Sequence, residues 1–318
     1  MLQSGMTAGI QLISTSKRPT HVTRATPILA PMLASAYVPD VVSPASPNAS
    51  PAGSEINGTT NPPSGLAAAF GAYLIWGFLP LYLMLVTEVP AFEFVGWRVI
   101  WTLPFCLAIV AVRGQFRALW EALRSQQAML ALLVSATLIA GNWLVYIWAI
   151  TKGEVYAASL GYYLNPLLNV LLGTVLLGER LSKLQWLAVA IAASAVCLLA
   201  AGALTSLWIS LSLALSFGLY GIVRKQVSVG SLPGLTIETF ILLLPAIAIT
   251  AFHAASPAGA SFGREAGLSL AIAFSGFVTA VPLLLFAIAA RRMAYSTLGF
   301  IQYLAPTIVF LLGLTVFD

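Results

Sequence analysis

Tyr162, Asn165 and Asn169 stand at i, i+3 and i+7 in the stretch SLGYYLNPLLNVLLGTVLLGER, residues 159–180. On a helix this spacing sets a hydroxyl and two amides along one face, with Pro166 beside them. Such groups hold a solute by hydrogen bonds rather than attack it. Pro166 removes a backbone donor and frees the carbonyl of Tyr162, and Pro306 does the same to Gln302. Two readings stay open. The polar face lines a cavity, or the asparagines bond neighbouring helices at about 1 kcal/mol or less each while the prolines only kink.

Other polar and aromatic residues extend the pattern. Asn142, Trp143, Tyr146 and Trp148 share one apolar run; Trp76 and Tyr82, Tyr220, and Gln302 with Tyr303 lie in others. Aromatic walls with a few hydrogen-bonding tips suit small amphipathic or aromatic solutes, although a single aromatic in such a run more often anchors at an interface. Two charges also fall inside apolar runs. Arg98, between Trp97 and Trp101, is placed to attract a carboxylate or phosphate, or to snorkel to headgroups. Glu238, read as lying in the first turn of its helix, is either a cap at the positive dipole end or a proton-coupling carboxylate.

The elements that must carry these residues follow from composition. The chain of 318 residues is 59% hydrophobic and 8% charged, where soluble domains carry about a quarter charged residues. From Leu66 onward, apolar runs recur near 66–86, 94–112, 128–150, 155–177, 184–203, 206–223, 234–252, 267–290 and 296–316. Each is long enough to cross a hydrocarbon core of roughly 30 Å as a helix, and none alternates as a barrel strand would. The expectation is an all-α membrane protein with nine transmembrane helices. Residues 1–64 differ: they hold half of the 18 prolines, with much Ser, Thr, Ala and Gly. They read as a disordered tail, or as translation assigned from too early a start.

Basic residues split by loop. Arg113, Arg117 and Arg124, then Arg180 and Lys183, Arg224 and Lys225, and Arg291 and Arg292 follow the even runs; the alternate loops hold Lys152 and Arg264 with Glu88, Glu154 and Glu265. The positive-inside rule puts the first set and the N-terminus in the cytoplasm, and Asp318 outside.

Shifted by about 140 residues, the chain matches itself. IWGFLPLY (75–82) meets SFGLYGIV (216–223), Pro104 meets Pro245, and YLNPLLNVLLG meets YLAPTIVFLLG with Pro166 over Pro306 and Gly173 over Gly313. Units of five spans, an odd number, enter the membrane in opposite senses, the inverted-repeat plan whose sites lie near mid-bilayer. The repeats are 66–203 and 206–318, and the second lacks the partner of 184–203, so the chain reads as truncated by one helix. Arg98 and Glu238 are near repeat mates, which puts them toward opposite sides and argues against a direct ion pair.

The blocks YLIWGFLPLY, WRVIWT, GNWLVYIWAI, ASLGYYLNPLLNVLLGTVLLGERL, QWLAVAIA, FGLYGIVRKQ and STLGFIQYLAPTIVFLLG resemble, in order, the RarD branch of the EamA-type drug/metabolite transporters. The likeness covers Gly65 to Asp318. It implies a ten-helix bacterial inner-membrane protein of two inverted five-helix repeats around a central cavity, exporting a small metabolite, amino-acid-like solute or drug. The chain departs from the pattern at Trp97-Arg98, where relatives tend to have His-Arg, and at Ala157, where an acid often precedes ASLGY.

The expected function is therefore secondary transport by alternating access, with Arg98, Asn142, Tyr146, Tyr162, Asn165, Asn169, Gln302 and Tyr303 toward the solute, Glu238 as the candidate for proton coupling, and Pro166 and Pro306 as helix breakers. The alternative is a non-transporting membrane sensor or scaffold, or an inactive fragment. An enzyme is not expected: the histidines are His21 and His253, no Asp lies in any apolar run, and no GxxxxGK, HExxH, GxSxG or metal-spaced cluster occurs. No cofactor or metal is expected, and Cys106 and Cys197 read as small apolar fillers. Partners are the lipid bilayer and a small-molecule substrate, with a homodimer compatible. The scattered basic residues argue against nucleic acid.

Overall fold

The computed structural model describes residues 65–201 and 204–316. The expected tail 1–64 and the terminal Asp318 lie outside the described residues. Among those described, the regular structure is helical: α1 Gly65–Leu83, α2 Ala91–Val112, α3 Phe116–Arg124, α4 Gln126–Thr151, α5 Val155–Leu176, α6 Lys183–Ala201, α7 Leu207–Gln226, α8 Ser231–Ala254, α9 Ala266–Arg292, α10 Tyr295–Gln302 and α11 Leu304–Thr315. Short 3₁₀ turns extend α1 through Val86 and lead into α7.

Eight of these segments are long and apolar enough to cross a membrane, with α10 and α11 counted as one. The ninth expected span folds as α5, whose 22 residues reach about 33 Å. It is not among the eight, because Asn165, Pro166, Asn169 and its tyrosines and glycines dilute its apolar character. Large apolar side chains such as Phe240, Leu244, Phe252 and Leu270 point outward, the surface expected of helices solvated by acyl chains rather than water.

The equivalent prolines behave differently. Pro166 is accommodated within a continuous α5. Around Pro306 the helix is interrupted at Tyr303, directly after Gln302, the residue whose carbonyl the proline ring opposes. The basic loop after α2 contains a helix the sequence reading did not anticipate, α3, with Phe116 and Trp120 exposed and Arg124 lying 4.9 Å over the Trp120 ring. Nine residues with apolar and basic faces are too short to register as a span and suit an interfacial position.

Packing follows a pattern of counterparts. α1 packs on α9 and α4 on α7; α2 on α9 and α4 on α8; α1 on α10 and α11, and α5 on α7; α2 meets α8, and α5 meets α10. Close approach depends on small residues, as expected where no hydrophobic drive separates helix from lipid. At Gly276 of α9 an added Cβ would run into the backbone of Trp101 in α2, and at Gly299 of α10 it would come within 2.8 Å of the Pro166 carbonyl oxygen in α5. The main core gathers Tyr73, Phe217, Tyr220, Phe286 and Tyr295, with the Phe217 and Phe286 rings 5.1 Å apart and Trp76 against both.

Candidate functional site

The polar face of α5 turns into protein on one side. The Asn169 amide donates to Gln302 Oε1 at 2.6 Å, and Tyr73 O–H donates to the same oxygen at 3.4 Å, so α1, α5 and α10 share one buried polar contact. Asn165 is buried as well. Its Oδ1 and that of Asn169 have no hydrogen-bond partner, and neither has the Tyr303 hydroxyl. Tyr162 sits apart from this contact. It is half exposed, and its ring meets Tyr146 edge-on at 5.7 Å. Asn142 ties α4 to α7, donating to the Leu213 carbonyl at 2.8 Å and to Ser216 Oγ at 2.9 Å.

Arg98 is fixed from three directions. Its Nε donates to Thr279 Oγ1 of α9 at 3.0 Å, and its guanidinium lies 5.2 Å over the Trp143 ring and 5.8 Å over that of Phe94. The hydroxyl groups of Tyr82, Tyr146 and Tyr162 are within electrostatic range. The flanking Trp97 and Trp101 instead pack on Phe262, at 4.7 and 5.7 Å. Stacking and a single hydrogen bond at Nε orient the guanidinium and leave it half-buried, an arrangement able to take the oxygens of an anionic group.

Beyond Thr279 and Trp143 lies a small cavity. Those two residues line it together with Thr102, Tyr220, Glu238 and Thr239, and water centres have about 20 Å³ within it, room for roughly one water. Its wall thus joins α2, α4, α7, α8 and α9. Arg98 and Glu238 make no ion pair with each other. Glu238 is the eighth residue of α8 rather than a first-turn cap, since the helix begins at Ser231, ahead of the expected 234.

The partner of Glu238 is a residue that the sequence placed in a loop. Arg224, in the last turn of α7, is fully buried, and its Nη1 lies 3.5 Å from Glu238 Oε1. The Ser135 hydroxyl of α4 donates to the same oxygen. Gly234 makes the space: a Cβ there would strike the Arg224 guanidinium. A basic pair ending an apolar run reads as a loop anchor. The signal that could have reversed this was the glycine one helix on, facing the arginine.

The neighbouring charges close one end of the bundle. The Glu179 carboxylate accepts from the Tyr295 and Ser296 amides at 2.6 and 2.8 Å, capping α10 from another segment. Lys225 donates to the Ala290 and Met293 carbonyls at 2.9 and 2.7 Å, and Arg291 to those of Val227 and Val229 at 2.6 and 2.8 Å. Burial pushes the Glu179 carboxyl up, but the bonds from Ser296 and Tyr295 and the Lys225 charge prevail and hold it below the ordinary glutamate value. At another site Glu93 takes hydrogen bonds from Trp97 Nε1, Ser261 N and Ser261 Oγ at 3.0, 2.7 and 2.8 Å.

Similarity to known proteins agrees with this architecture. Residues 63–201 match the EamA-like transporter family. The chain is 44% identical over 259 residues to Protein RarD of Salmonella typhi, covering 79% of this chain and 85% of that one. It is 30% identical over 255 residues to the Chloramphenicol-sensitive protein RarD of Pseudomonas aeruginosa, covering 78% and 84% respectively. A solved structure described as "Crystal structure of protein" aligns with a TM-score of 0.63 at 22% identity, covering 80% of this chain and 89% of that chain, a likeness of fold.

Proposed function

Since the chain belongs to the EamA-like transporter family, in its RarD branch, we propose that this multi-pass membrane protein moves a small solute across the bacterial inner membrane by alternating access. The two moving parts are inverted repeats, α1 to α6 and α7 to α11, with the N-terminus in the cytoplasm and export as the direction. One observation carries this reading: the main contacts between the long helices of the two groups come in counterpart pairs, and the cavity lies where those groups meet. A pseudo-twofold axis through the α2–α8 and α5–α10 contacts relates α1 to α7, α2 to α8, α4 to α9 and α5 to the α10–α11 segment. Rocking about such an axis exposes a fixed central site to each side in turn.

The solute's recognition falls to Arg98 and the rings around it. A guanidinium stacked on Trp143 and steered by Thr279 suits a carboxylate or phosphate, with Tyr146 and Tyr162 to cover an apolar or aromatic body. The buried Asn169–Gln302 contact holds the repeats together across α5 and α10.

Flux through liposomes containing the full chain tests the proposal, using labelled small carboxylates, amino-acid-like solutes and aromatic compounds. Saturable flux is expected for an anionic member, reduced roughly tenfold or more by Arg98→Gln, which keeps polarity but removes the charge. Absence of saturable flux for every class, or flux indifferent to Arg98→Gln, would overturn the reading or the assigned anion site respectively.

A further inference from the structure

Glu238 and Arg224 are both buried, at 2% and 0% exposure, yet neither is fully satisfied. Arg224 Nη2 donates to the Ser231 carbonyl at 2.7 Å, but Nε and Nη1 have no hydrogen bond. Glu238 receives Ser135 and Arg224 through one oxygen, Oε1. It also lines the cavity, where the Tyr220 hydroxyl likewise lacks a hydrogen-bond partner. A buried carboxylate that has lone pairs left over and a water-sized space beside it is a proton acceptor with a means of reaching a proton.

We propose that Glu238 exchanges a proton with water in this cavity, and that Arg224 and Ser135 hold it ionised between exchanges. Hydronium in the cavity gives its proton to the carboxylate and becomes water; the carboxylate passes from −1 to neutral, and the Arg224 cation loses its counter-charge. An uncompensated buried arginine is costly, so protonation loosens the Arg224–Glu238 link between α7 and α8. That this step drives a transport cycle rests on the function proposed above; the exchange itself does not.

The groups facing Glu238 define what it can respond to. α7 contributes Arg224 and Tyr220, α4 contributes Ser135, and α2 contributes Cys106. From α9, Arg291 acts on Arg224 rather than on the carboxylate. α3, which also touches α8, holds Arg117, Glu121 and Arg124 at the exposed surface. Glu238 therefore has one near cation, and the hydroxyls of Ser135 and Tyr220 both favour its ionised form.

Dicyclohexylcarbodiimide, an apolar reagent that traps protonated carboxyls, reads this directly. The full chain in liposomes is treated between about pH 5 and pH 9, and adducts are located by peptide mass spectrometry; labelling should fall about tenfold per pH unit on the alkaline side of its midpoint. The Glu238 adduct should vanish in Glu238→Gln. Removing the donor by Ser135→Ala, or the counter-charge by Arg224→Gln, should each raise labelling near pH 7 by roughly threefold or more. Ser135→Ala carries the test should Arg224→Gln fail to fold. No adduct on Glu238 at any pH, or labelling indifferent to both pH and Ser135→Ala, would reduce the pair to a structural contact. No solute moves in this assay, so a labelled Glu238 in a chain without flux would refute transport alone.

Discussion

Charged and amide side chains do most of the specific joining between helices here, and they differ in how well the sequence announces them. Tyr162 and Gln302 were legible as repeat-equivalent polar positions four residues ahead of a proline, with Asn169 on the face of Tyr162; it is Asn169 that meets Gln302, at 2.6 Å. Their orientation was not: periodicity puts Tyr162 and Asn169 on one face, but only packing decides that Asn169 meets protein while Tyr162 remains half exposed. Arg224 was hidden because a basic dipeptide at the end of an apolar run has the same pattern whether it faces headgroups or a buried carboxylate. Glu179 is the residue whose energetics can be read by pH. Its folded carboxyl binds a proton less tightly than the ordinary value of 4.5. The unfolded chain thus takes up the proton first, and the cap's contribution, complete above that value, is lost as pH falls through the lower folded one. Thermal unfolding in detergent should show destabilisation below about pH 4.5 that is smaller in Glu179→Gln, which has no proton to gain; identical acid slopes would refute the cap's role.

Helices were the easiest scale to anticipate, because runs of apolar residues as long as a bilayer is thick leave few alternatives. The expected spans and the observed helices differ by up to about three residues at an end: α2 begins three residues early at Ala91, α7 runs on three residues to Gln226, and in α8 Ser231–Pro233 join the helix ahead of the apolar run. α3 was missed because its nine residues carry no span-length signal, and the break at Tyr303 because a proline's effect depends on its neighbours, as Pro166 shows by not breaking α5. Helix contact is where a single methyl matters. Gly276→Ala should push α9 from the Trp101 backbone at a cost of about 1–3 kcal/mol, seen as a lowered unfolding midpoint. Gly141→Ala in α4, where nothing lies within 4 Å of an added Cβ, should be neutral or mildly stabilising. Equal effects from the two would show that α2 and α9 are not in such close contact.

For the molecule as a whole, the 140-residue internal likeness and the paired helix contacts both support the arrangement proposed above, a chain that enters the membrane twice in opposite senses. Under that proposal five spans, an odd number, separate the start of one repeat from the start of the next, which makes orientation the decisive property. The loop after α2 and the loop after α8, counterparts in the proposed repeat, must then open on opposite faces. Single cysteines introduced into a cysteine-free background at exposed Arg113, Ser228, Lys152 and Ala258 and probed with a membrane-impermeant maleimide in sealed cells decide the matter. The account predicts labelling from outside at Lys152→Cys and Ala258→Cys, and at Arg113→Cys and Ser228→Cys only after the membrane is opened. Arg113→Cys and Ala258→Cys reacting from the same side would contradict it.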